Sequence, residues 1–293
     1  MNYLSVCSGI EAATVAWHHM GWNPVGFSEI EKFPSQVLAH HYPQVTNFGD
    51  MTKYKEWQIN DPIGLLVGGT PCQSFSVAGL RKGLEDPRGN LALTYVGILD
   101  HFRPKWFIWE NVPGVLSSGG GRDFGSFLGA LGELGYGWSY RVLDAQYFGV
   151  AQRRRRVFVV GHLGNWKPTA EVLFESNCIK WSEKNKIQKL PRNRVQPIFN
   201  LRMSEGARRD IQNRHTIRNL TPKEYERLQG FPDGYTDIKP NGKETPDGHR
   251  YKALGNSMAV PVMRWIGERI NSYETMRSKA VVQVETGMGL AEV

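Results

Sequence analysis

Short apolar runs along this chain alternate with longer segments in which apolar residues recur every three or four positions. The short runs predict buried strands, and the longer segments predict helices with one apolar face. A regular alternation of strand and helix is typical of an α/β protein with a doubly wound parallel sheet. The predicted strands are residues 3–7, 25–28, 63–67, 106–109 and 157–161, and the predicted helices are residues 11–20, 91–102 and 124–134.

This alternation stops after Gly164 and returns near residue 221. There, the sequence Thr221-Pro222-Lys223-Glu224 combines an N-cap threonine, a proline at the first helical position and a glutamate at the third. It predicts a capping box and a short helix that ends near Gly230. We also expect a turn at residues 255–257, followed by a helix over residues 262–270.

The chain has 293 residues and 40% hydrophobic content, which is enough to bury a sizeable core. The break in the pattern predicts a large domain with a smaller inserted lobe and a weakly patterned carboxyl-terminal tail. These segments are residues 1–163 with 218–276 for the large domain, residues 164–217 for the lobe, and residues 277–293 for the tail.

Positive charge is concentrated in two places. The formal net charge is +8, yet residues 164–217 alone hold eleven Lys or Arg against five Asp or Glu, and Arg153–Arg156 adds four more arginines. A basic surface confined to part of a protein, with no excess of positive charge elsewhere, indicates a polyanionic partner such as nucleic acid. A solvated basic face would have the same composition, so both interpretations remain open.

The cysteines and the hydropathy limit the class of protein. Cys7, Cys72 and Cys178 are odd in number and form no CxxC pair, which argues against a disulfide framework and against a zinc site. The chain has neither a basic leader before an apolar segment nor a run of about 18 apolar residues. We therefore expect a soluble protein of a reducing cytoplasm.

Cys72 is a candidate nucleophile. It follows the apolar run 63–67 and the sequence Gly68-Gly69-Thr70-Pro71, which places it at the carboxyl end of a predicted strand. Open α/β sheets carry their chemistry at this edge. A reactive thiol also needs nearby positive charge or backbone N–H groups. A buried structural cysteine is the alternative.

Further polar residues are expected at the same edge. Glu110 follows the strand 106–109, and an apolar environment would raise its pKa and make it a proton donor. A solvated glutamate at the strand end is the alternative. Arg154 and Arg156 lie directly before the predicted strand 157–161, where alternate side chains point to the same face, so both could reach the site, although four consecutive arginines would also suit a phosphate-binding patch. The turn Cys7–Glu11 is suited to a nucleotide-like cofactor, with Glu29 placed to accept ribose hydroxyls.

Taken in order, these motifs resemble the S-adenosylmethionine-dependent DNA (cytosine-5) methyltransferases over nearly the whole chain. The resemblance implies a Rossmann-like class I methyltransferase fold, with a mixed or parallel sheet and a small target-recognition lobe at residues 164–217. The motifs are Cys7–Glu11, Pro71-Cys72-Gln73, Glu110-Asn111-Val112, Gln152-x-Arg154-x-Arg156, Arg227-Leu228-Gln229-Gly230-Phe231-Pro232 and Gly255-Asn256-Ser257.

The resemblance also implies a mechanism. Cys72 would add to C6 of a cytosine flipped out of duplex DNA, so that C5 can take the methyl group. Glu110 would bind or protonate N3, and Arg154 and Arg156 would hold the base and the carboxylate. The sequence departs from the family's Phe-x-Gly-x-Gly pattern at Cys7 and Glu11, and it has Ala151 where the family has proline before the arginine motif.

By the same resemblance, two further groups of residues are expected to bind ligands. The S-adenosylmethionine pocket would comprise Ser8, Gly9, Ile10, Glu11, Glu29, Ile30, Asp50, Met51, Pro71, Asn256 and Ser257. The DNA contacts would include Gln73, Ser76, Arg81, Lys82, Arg88 and Gln152, most of them in a loop over residues 73–90 that closes on the DNA.

We therefore expect a sequence-specific enzyme acting on double-stranded DNA, with no metal, no membrane and no obligate protein partner. It would work in the cytoplasm of a prokaryotic cell or of a virus-infected host. Three alternatives remain: a transfer-RNA cytosine-5 methyltransferase of the same fold, a non-catalytic DNA-binding module, and a thiol hydrolase. The last would need a histidine partner, and no histidine here lies in a distinctive motif.

Overall fold

The computed structural model describes residues 1–71, 91–174 and 218–285, with side chains up to residue 278. The chain divides into two units, Met1–Phe174 with Thr221–Val293, and Glu175–Leu220. Residues 164–174 therefore belong to the larger unit, whereas the sequence placed them in the lobe. The smaller unit holds eleven Lys or Arg against four Asp or Glu, so the basic composition stays with it.

The larger unit is built on a six-stranded sheet. The order β2-β1-β3-β4-β6-β5 puts β3 and β4 at its centre. The strands are β1 (Asn2–Val6), β2 (Asn23–Ser28), β3 (Leu65–Gly68), β4 (Trp106–Asn111), β5 (Tyr136–Asp144) and β6 (Arg155–Leu163).

The sheet is mixed, which is one of the two forms that the family resemblance implied, whereas the strand and helix alternation alone indicated a parallel sheet. Strands β2, β1, β3 and β4 pair in parallel, whereas β6 pairs antiparallel with both β4 and β5. The reason is the connection between β5 and β6, which consists of the short turn Ala145–Phe148 and the few residues after it. A short connection permits only an antiparallel neighbour, because a parallel crossover needs a dozen or more residues.

The helices and short turns surround this sheet. The helix predicted over residues 91–102 has the expected bounds, Leu91–Phe102. The predicted tail is helical to Glu285, because the helix Val260–Glu285 continues through it. The predicted turn at residues 255–257 lies at the end of the helix Asp247–Asn256. The helices are α1 (Ala12–Trp17), α2 (Lys32–His41), α3 (Leu91–Phe102), α4 (Arg122–Glu133), α5 (Lys167–Leu173), α6 (Pro222–Gln229), α7 (Asp247–Asn256) and α8 (Val260–Glu285).

The core lies on both faces of the sheet. Alternate residues of the buried strands belong to separate apolar clusters, for example Trp106 and Ile108 on one face and Phe107 and Trp109 on the other. Residues of α1 and α8 complete the first cluster, and residues of α3 and α4 complete the second. The result is a three-layer α/β arrangement that leaves the strand ends free to carry polar groups.

The capping box at the start of α6 is confirmed. The Thr221 Oγ1 accepts a hydrogen bond from the Glu224 backbone N–H at 3.3 Å, and the Glu224 carboxylate accepts one from the Thr221 N–H at 2.7 Å. The helix ends at Gly230, whose φ of 81° is in the left-handed region. Within the described parts of the chain, no helix is both long and apolar enough to cross a membrane.

Candidate active site

The carboxyl ends of the parallel strands open into a cavity of about 1080 Å³. Each strand contributes a turn to its wall: Cys7 and Gly9 follow β1, Glu29 follows β2, Pro71 follows β3, and Glu110 lies near the end of β4. This is the edge at which open α/β sheets bind their ligands. The cavity is therefore the candidate active site.

Pro71 is the last described residue before Cys72. Cys72 and the predicted DNA contacts Gln73, Ser76, Arg81, Lys82 and Arg88 lie outside the described residues, so their roles stay predictions.

The segment that leads to Cys72 is tied to β4. The Thr70 Oγ1 accepts a hydrogen bond from Trp109 Nε1 at 3.0 Å, and the Thr70 carbonyl accepts one from Asn111 Nδ2 at 3.0 Å. Both bonds are buried, where each donor and acceptor needs its partner. The chain thus enters Cys72 from a fixed position beside Glu110.

Glu110 is buried in the cavity wall, with 8% of its surface exposed. Its Oε1 lies 3.0 Å from Arg156 Nε. The N–H of Arg156 is not aligned with Oε1, and Oε1 accepts no hydrogen bond from any other described residue. Burial raises the pKa of Glu110, while the positive charges of Arg156 and Arg154 act in the opposite direction. Burial therefore favours the protonated carboxyl group, which can act as a proton donor.

Gly69 allows β3 and Glu110 to approach closely. A Cβ atom placed on Gly69 would lie 2.8 Å from the Glu110 Oε2 and 3.3 Å from the Met258 Cε. Both distances are shorter than ordinary van der Waals contacts, so a side chain there would displace the carboxyl group. A glycine before Thr70 is thus a steric requirement of the site.

The structure brings Arg154 and Arg156 together at the same cavity. The Arg154 guanidinium donates to the Ser257 carbonyl at 2.6 Å, which ties it to the segment after α7. Burial, together with the charge of Arg156, lowers the pKa of Arg154 to about 10, against the opposing effect of Glu110. Arg154 Nε has no hydrogen-bond partner among the described residues, and buried donors of this kind need one.

The turn after β1 has an unusual backbone. Cys7, Gly9 and Glu11 have φ values of 48°, 56° and 65°, all in the left-handed region. The Gly9 N–H donates to Glu29 Oε2 at 2.8 Å, and Glu29 Oε1 accepts from the Glu31 N–H at 2.7 Å. The turn and the Glu29 carboxylate are therefore fixed together at the mouth of the cavity.

The predicted cofactor residues divide into two groups. Gly9, Glu29, Ile30, Asp50, Met51, Pro71 and Asn256 line the large cavity. The others lie behind the turn, because Ile10 is fully buried and Ser8, Glu11 and Ser257 line only a small void of about 40 Å³. Their direct contact with a cofactor stays a prediction, and so does DNA binding by the half-buried Gln152, which lies outside the cavity lining.

The side chain of Glu11 points from the turn into the protein interior and forms hydrogen bonds there. It is 1% exposed, and its carboxylate accepts hydrogen bonds from Ser5 Oγ at 2.8 Å, from the Thr14 N–H at 3.2 Å and from Thr14 Oγ1 at 3.1 Å. It thereby caps α1. This contact explains how a glutamate occupies a left-handed position that ordinarily favours glycine.

Glu11 should make the stability of the protein depend on pH. Burial raises the pKa of Glu11 to about 7, above the value of about 4.3 for an unfolded glutamate. Between these values the folded protein keeps a proton that the unfolded chain has lost, so stability falls as the pH rises. From about pH 5 to about pH 8, we expect the unfolding free energy of the wild type to fall by about 2.5 kcal/mol more than that of Glu11→Gln.

Denaturant unfolding of both proteins at each pH measures this difference. Other titrating groups are shared by the two proteins and cancel in the comparison. Equal changes with pH in both proteins would show that Glu11 does not retain its proton on folding.

One wall of the cavity was not predicted from the sequence. Residues 240, 241 and 243–246, between α6 and α7, line it together with His249 and Lys252 of α7. Lys252 Nζ lies 3.0 Å from the Glu31 carboxylate at the start of α2, and the His249 ring lies 6.0 Å from that of Phe33. No pattern in residues 240–246 indicated this position, since only the fold brings them opposite β2.

Comparison with known proteins of similar structure or sequence shows the fold and the family of this chain. It resembles the crystal structure of S. pombe Dnmt2 methyltransferase with a TM-score of 0.64 at 18% identity, over 92% of this chain and 98% of that one. The fold is therefore that of a class I methyltransferase. The family model for C-5 cytosine-specific DNA methylase matches residues 1–200 and 173–272, so the chain belongs to that family.

Two relatives are similar over most of this chain. It is 30% identical over 292 residues to the Type II methyltransferase M.NgoBI of Neisseria gonorrhoeae, covering 89% of this chain and 90% of that protein. It is 32% identical over 459 residues to a protein of Escherichia phage P1 named DNA N-6-adenine-methyltransferase, covering 92% of this chain. The chain spans only 61% of the length of that phage protein.

Proposed function

We propose that this protein transfers a methyl group from S-adenosylmethionine to C5 of a cytosine in double-stranded DNA. The observation that carries the proposal is the buried Glu110 carboxyl beside Arg156 and Arg154, at the strand edge where Thr70 and Pro71 lead into Cys72. Membership of the C-5 cytosine-specific family supports the same chemistry.

The chemistry requires both a thiol and an acid. C5 of cytosine is a poor nucleophile until a group adds at C6 and turns the ring into an enamine. In this proposal the Cys72 thiolate forms the bond to C6 while Glu110 gives a proton to N3, so no negative charge builds up on the ring. C5 then takes the methyl group, and S-adenosylhomocysteine leaves as the bond from the methyl group to the sulfonium breaks. Loss of the C5 proton to water expels the Cys72 thiolate, and the N3 proton returns to Glu110.

The arginines have separate tasks in this mechanism. Arg156 keeps the Glu110 carboxyl in place by their contact at 3.0 Å. Arg154 is fixed through the Ser257 carbonyl, and its Nε, which has no hydrogen-bond partner among the described residues, is a buried donor suited to an oxygen of the base or of its phosphate. Glu110 Oε1 and Arg154 Nε, which make no hydrogen bond to another described residue, fit a ligand that brings both a donor and an acceptor.

The cavity also fits the methyl donor. S-adenosylmethionine supplies a methyl group on a positively charged sulfur. Glu29 keeps lone pairs for ribose hydroxyls after its bonds to Gly9 and Glu31, because a carboxylate can accept about four. Ile30 is 73% exposed and lines the cavity, which offers an apolar surface to an adenine ring.

DNA binding by the basic segment 175–220 should be strongly salt-dependent. Lysines and arginines that contact phosphates release condensed counterions, so affinity falls with salt. We expect the Kd for duplex DNA to rise by roughly 100-fold or more between about 50 and 200 mM salt. A variant with Lys184, Lys186 and Lys189 changed to glutamine should show a shallower slope.

The matched control for that variant changes Lys53 and Lys55, two exposed lysines of the larger unit, to glutamine and should keep the wild-type slope. An equal slope in all three proteins, measured by titration of labelled duplex, would mean that this segment does not face the DNA.

Nucleoside analysis tests the proposed function. Purified protein is incubated with unmethylated duplex DNA, or with RNA, and S-adenosylmethionine carrying a labelled methyl group. We expect label in 5-methylcytosine from DNA. Label in N6-methyladenine would support the activity in the name of the phage P1 relative, and label only in RNA would support the transfer-RNA alternative. Either result would overturn the proposal.

A further inference from the structure

Tyr235 connects two distant parts of the chain. It follows the Phe231-Pro232 motif and is buried, with 6% of its surface exposed. Its hydroxyl donates a hydrogen bond to the Ile10 carbonyl at 2.9 Å, inside the turn between β1 and α1. Burial raises the pKa of Tyr235, so the hydroxyl stays protonated and remains a donor at every working pH.

The ring of Tyr235 is held from two sides. The His41 ring stacks on it with centroids 4.1 Å apart and planes within 2°, and His41 Nε2 lies 2.8 Å from the Tyr235 carbonyl. The Phe231 ring lies 4.8 Å away on a tilted plane. The Tyr42 hydroxyl lies 3.1 Å from that of Tyr235. These contacts fix the direction in which the Tyr235 hydroxyl points.

The backbone around Tyr235 is held by a fully buried carboxylate. Glu226 accepts hydrogen bonds from the N–H groups of Gly234 at 2.6 Å and Thr236 at 2.8 Å, on either side of Tyr235. Arg250 balances its charge at 3.3 Å and also donates to Thr236 Oγ1 at 3.0 Å. A buried charge needs this full set of partners, so the segment is rigidly placed.

The turn between β1 and α1, which Tyr235 contacts, needs neighbouring groups to hold its backbone conformation. Its three residues with left-handed φ angles include Cys7 and Glu11, which are not glycine, and strained conformations of this kind persist only where the surroundings hold them. Glu29 holds the Gly9 N–H, and Glu11 holds the start of α1. Ile10, between them, has its carbonyl held by Tyr235.

We propose that Tyr235 is a positioning residue that sets the conformation of the cofactor turn through the Ile10 carbonyl. This inference rests on the proposed function, in which the turn binds S-adenosylmethionine. The segment that follows the Arg-Leu-Gln-Gly-Phe-Pro motif would then have a task in cofactor binding, although it is more than 200 residues away from the turn along the sequence.

The variant Tyr235→Phe tests this role, because it removes only the hydroxyl. We expect the Kd for S-adenosylmethionine, measured by calorimetry, to rise about tenfold, while kcat at saturating cofactor stays within about twofold. Hydrogen exchange of residues 7–14 in the cofactor-free protein should become about tenfold faster, with no change in residues 91–102 of α3.

Tyr42→Phe is the matched control. It also removes a hydroxyl, which lies 3.1 Å from that of Tyr235, but the Ile10 carbonyl accepts its hydrogen bond from Tyr235, so we expect both readouts to stay within about twofold of wild type. A Kd and an exchange rate unchanged in Tyr235→Phe would overturn the proposal, and so would equal changes in both variants. If the wild type bound no S-adenosylmethionine while Tyr235→Phe still loosened the turn, the proposed function would fail and the positioning role would stand.

Discussion

Cys72→Ser should lower the rate of methyl transfer by roughly 10⁴-fold or more, because a hydroxyl at neutral pH does not add to C6 as a thiolate does. Binding of S-adenosylmethionine should stay unchanged, since Cys72 acts on the base and not on the cofactor. Single-turnover transfer to DNA and calorimetry with the cofactor measure the two effects separately.

Two other cysteines make this prediction specific. Cys178→Ser is the matched control and should keep the wild-type rate. Cys7 lies in the wall of the cavity, but burial, with the charge of Glu29, raises the pKa of Cys7 to about 12, so it stays a thiol at neutral pH. A near-normal rate for Cys72→Ser would mean that the reaction needs no covalent bond from this residue.

Glu110→Gln should lower kcat by about 10²- to 10³-fold, because an amide can donate a hydrogen bond to N3 but cannot transfer a proton. The affinity for the cofactor should not change. Since burial raises the pKa of Glu110, the wild type should keep the active protonated form to higher pH than an exposed glutamate would, and should lose activity as the pH rises through that pKa.

The pH profile separates proton transfer from a purely structural role. In Glu110→Gln this falling limb should be absent, whereas Glu56→Gln, a change to an exposed glutamate, should keep both the rate and the profile of the wild type. A Glu110→Gln profile with the wild-type falling limb would contradict proton donation by this residue.

The strand ends could be predicted from the sequence because an apolar run and a glycine or polar residue meet there. The central strands β3 and β4 are buried on both faces, so they appear in the sequence as continuous apolar runs closed by glycine or by polar residues. The positions of Glu110 and Pro71 at one edge follow from this pattern alone. Their separation could not be predicted, because the contact of Gly69 with Glu110 depends on how the strands twist.

Other elements left weaker signals. Strand β5 lies at the edge of the sheet with most of its residues only partly buried, so it has no continuous apolar run. Helix α2 buries only Phe33, Val37 and Leu38 among polar and histidine residues. Both elements are stabilised by the neighbours they pack on rather than by local sequence preference.

The direction of a side chain could not be predicted from the sequence either. Glu11 stands in a motif whose resemblance implies cofactor contact, yet its carboxylate accepts hydrogen bonds from Ser5 and Thr14 in the protein interior. Tyr235 stands next to a recognised motif, but its partner Ile10 is near the other end of the chain. Contacts of this kind come from the fold and leave no local pattern.

The central claim is a covalent bond between Cys72 and C6 of cytosine, and a duplex of mixed sequence with 5-fluorocytosine in place of cytosine tests it directly. Fluorine cannot leave as the C5 proton does, so the adduct should persist after methyl transfer. We predict a covalent protein–DNA complex that depends on S-adenosylmethionine and maps to Cys72 by mass spectrometry of the digested protein. Methyl transfer to ordinary DNA without any such adduct would contradict the claim.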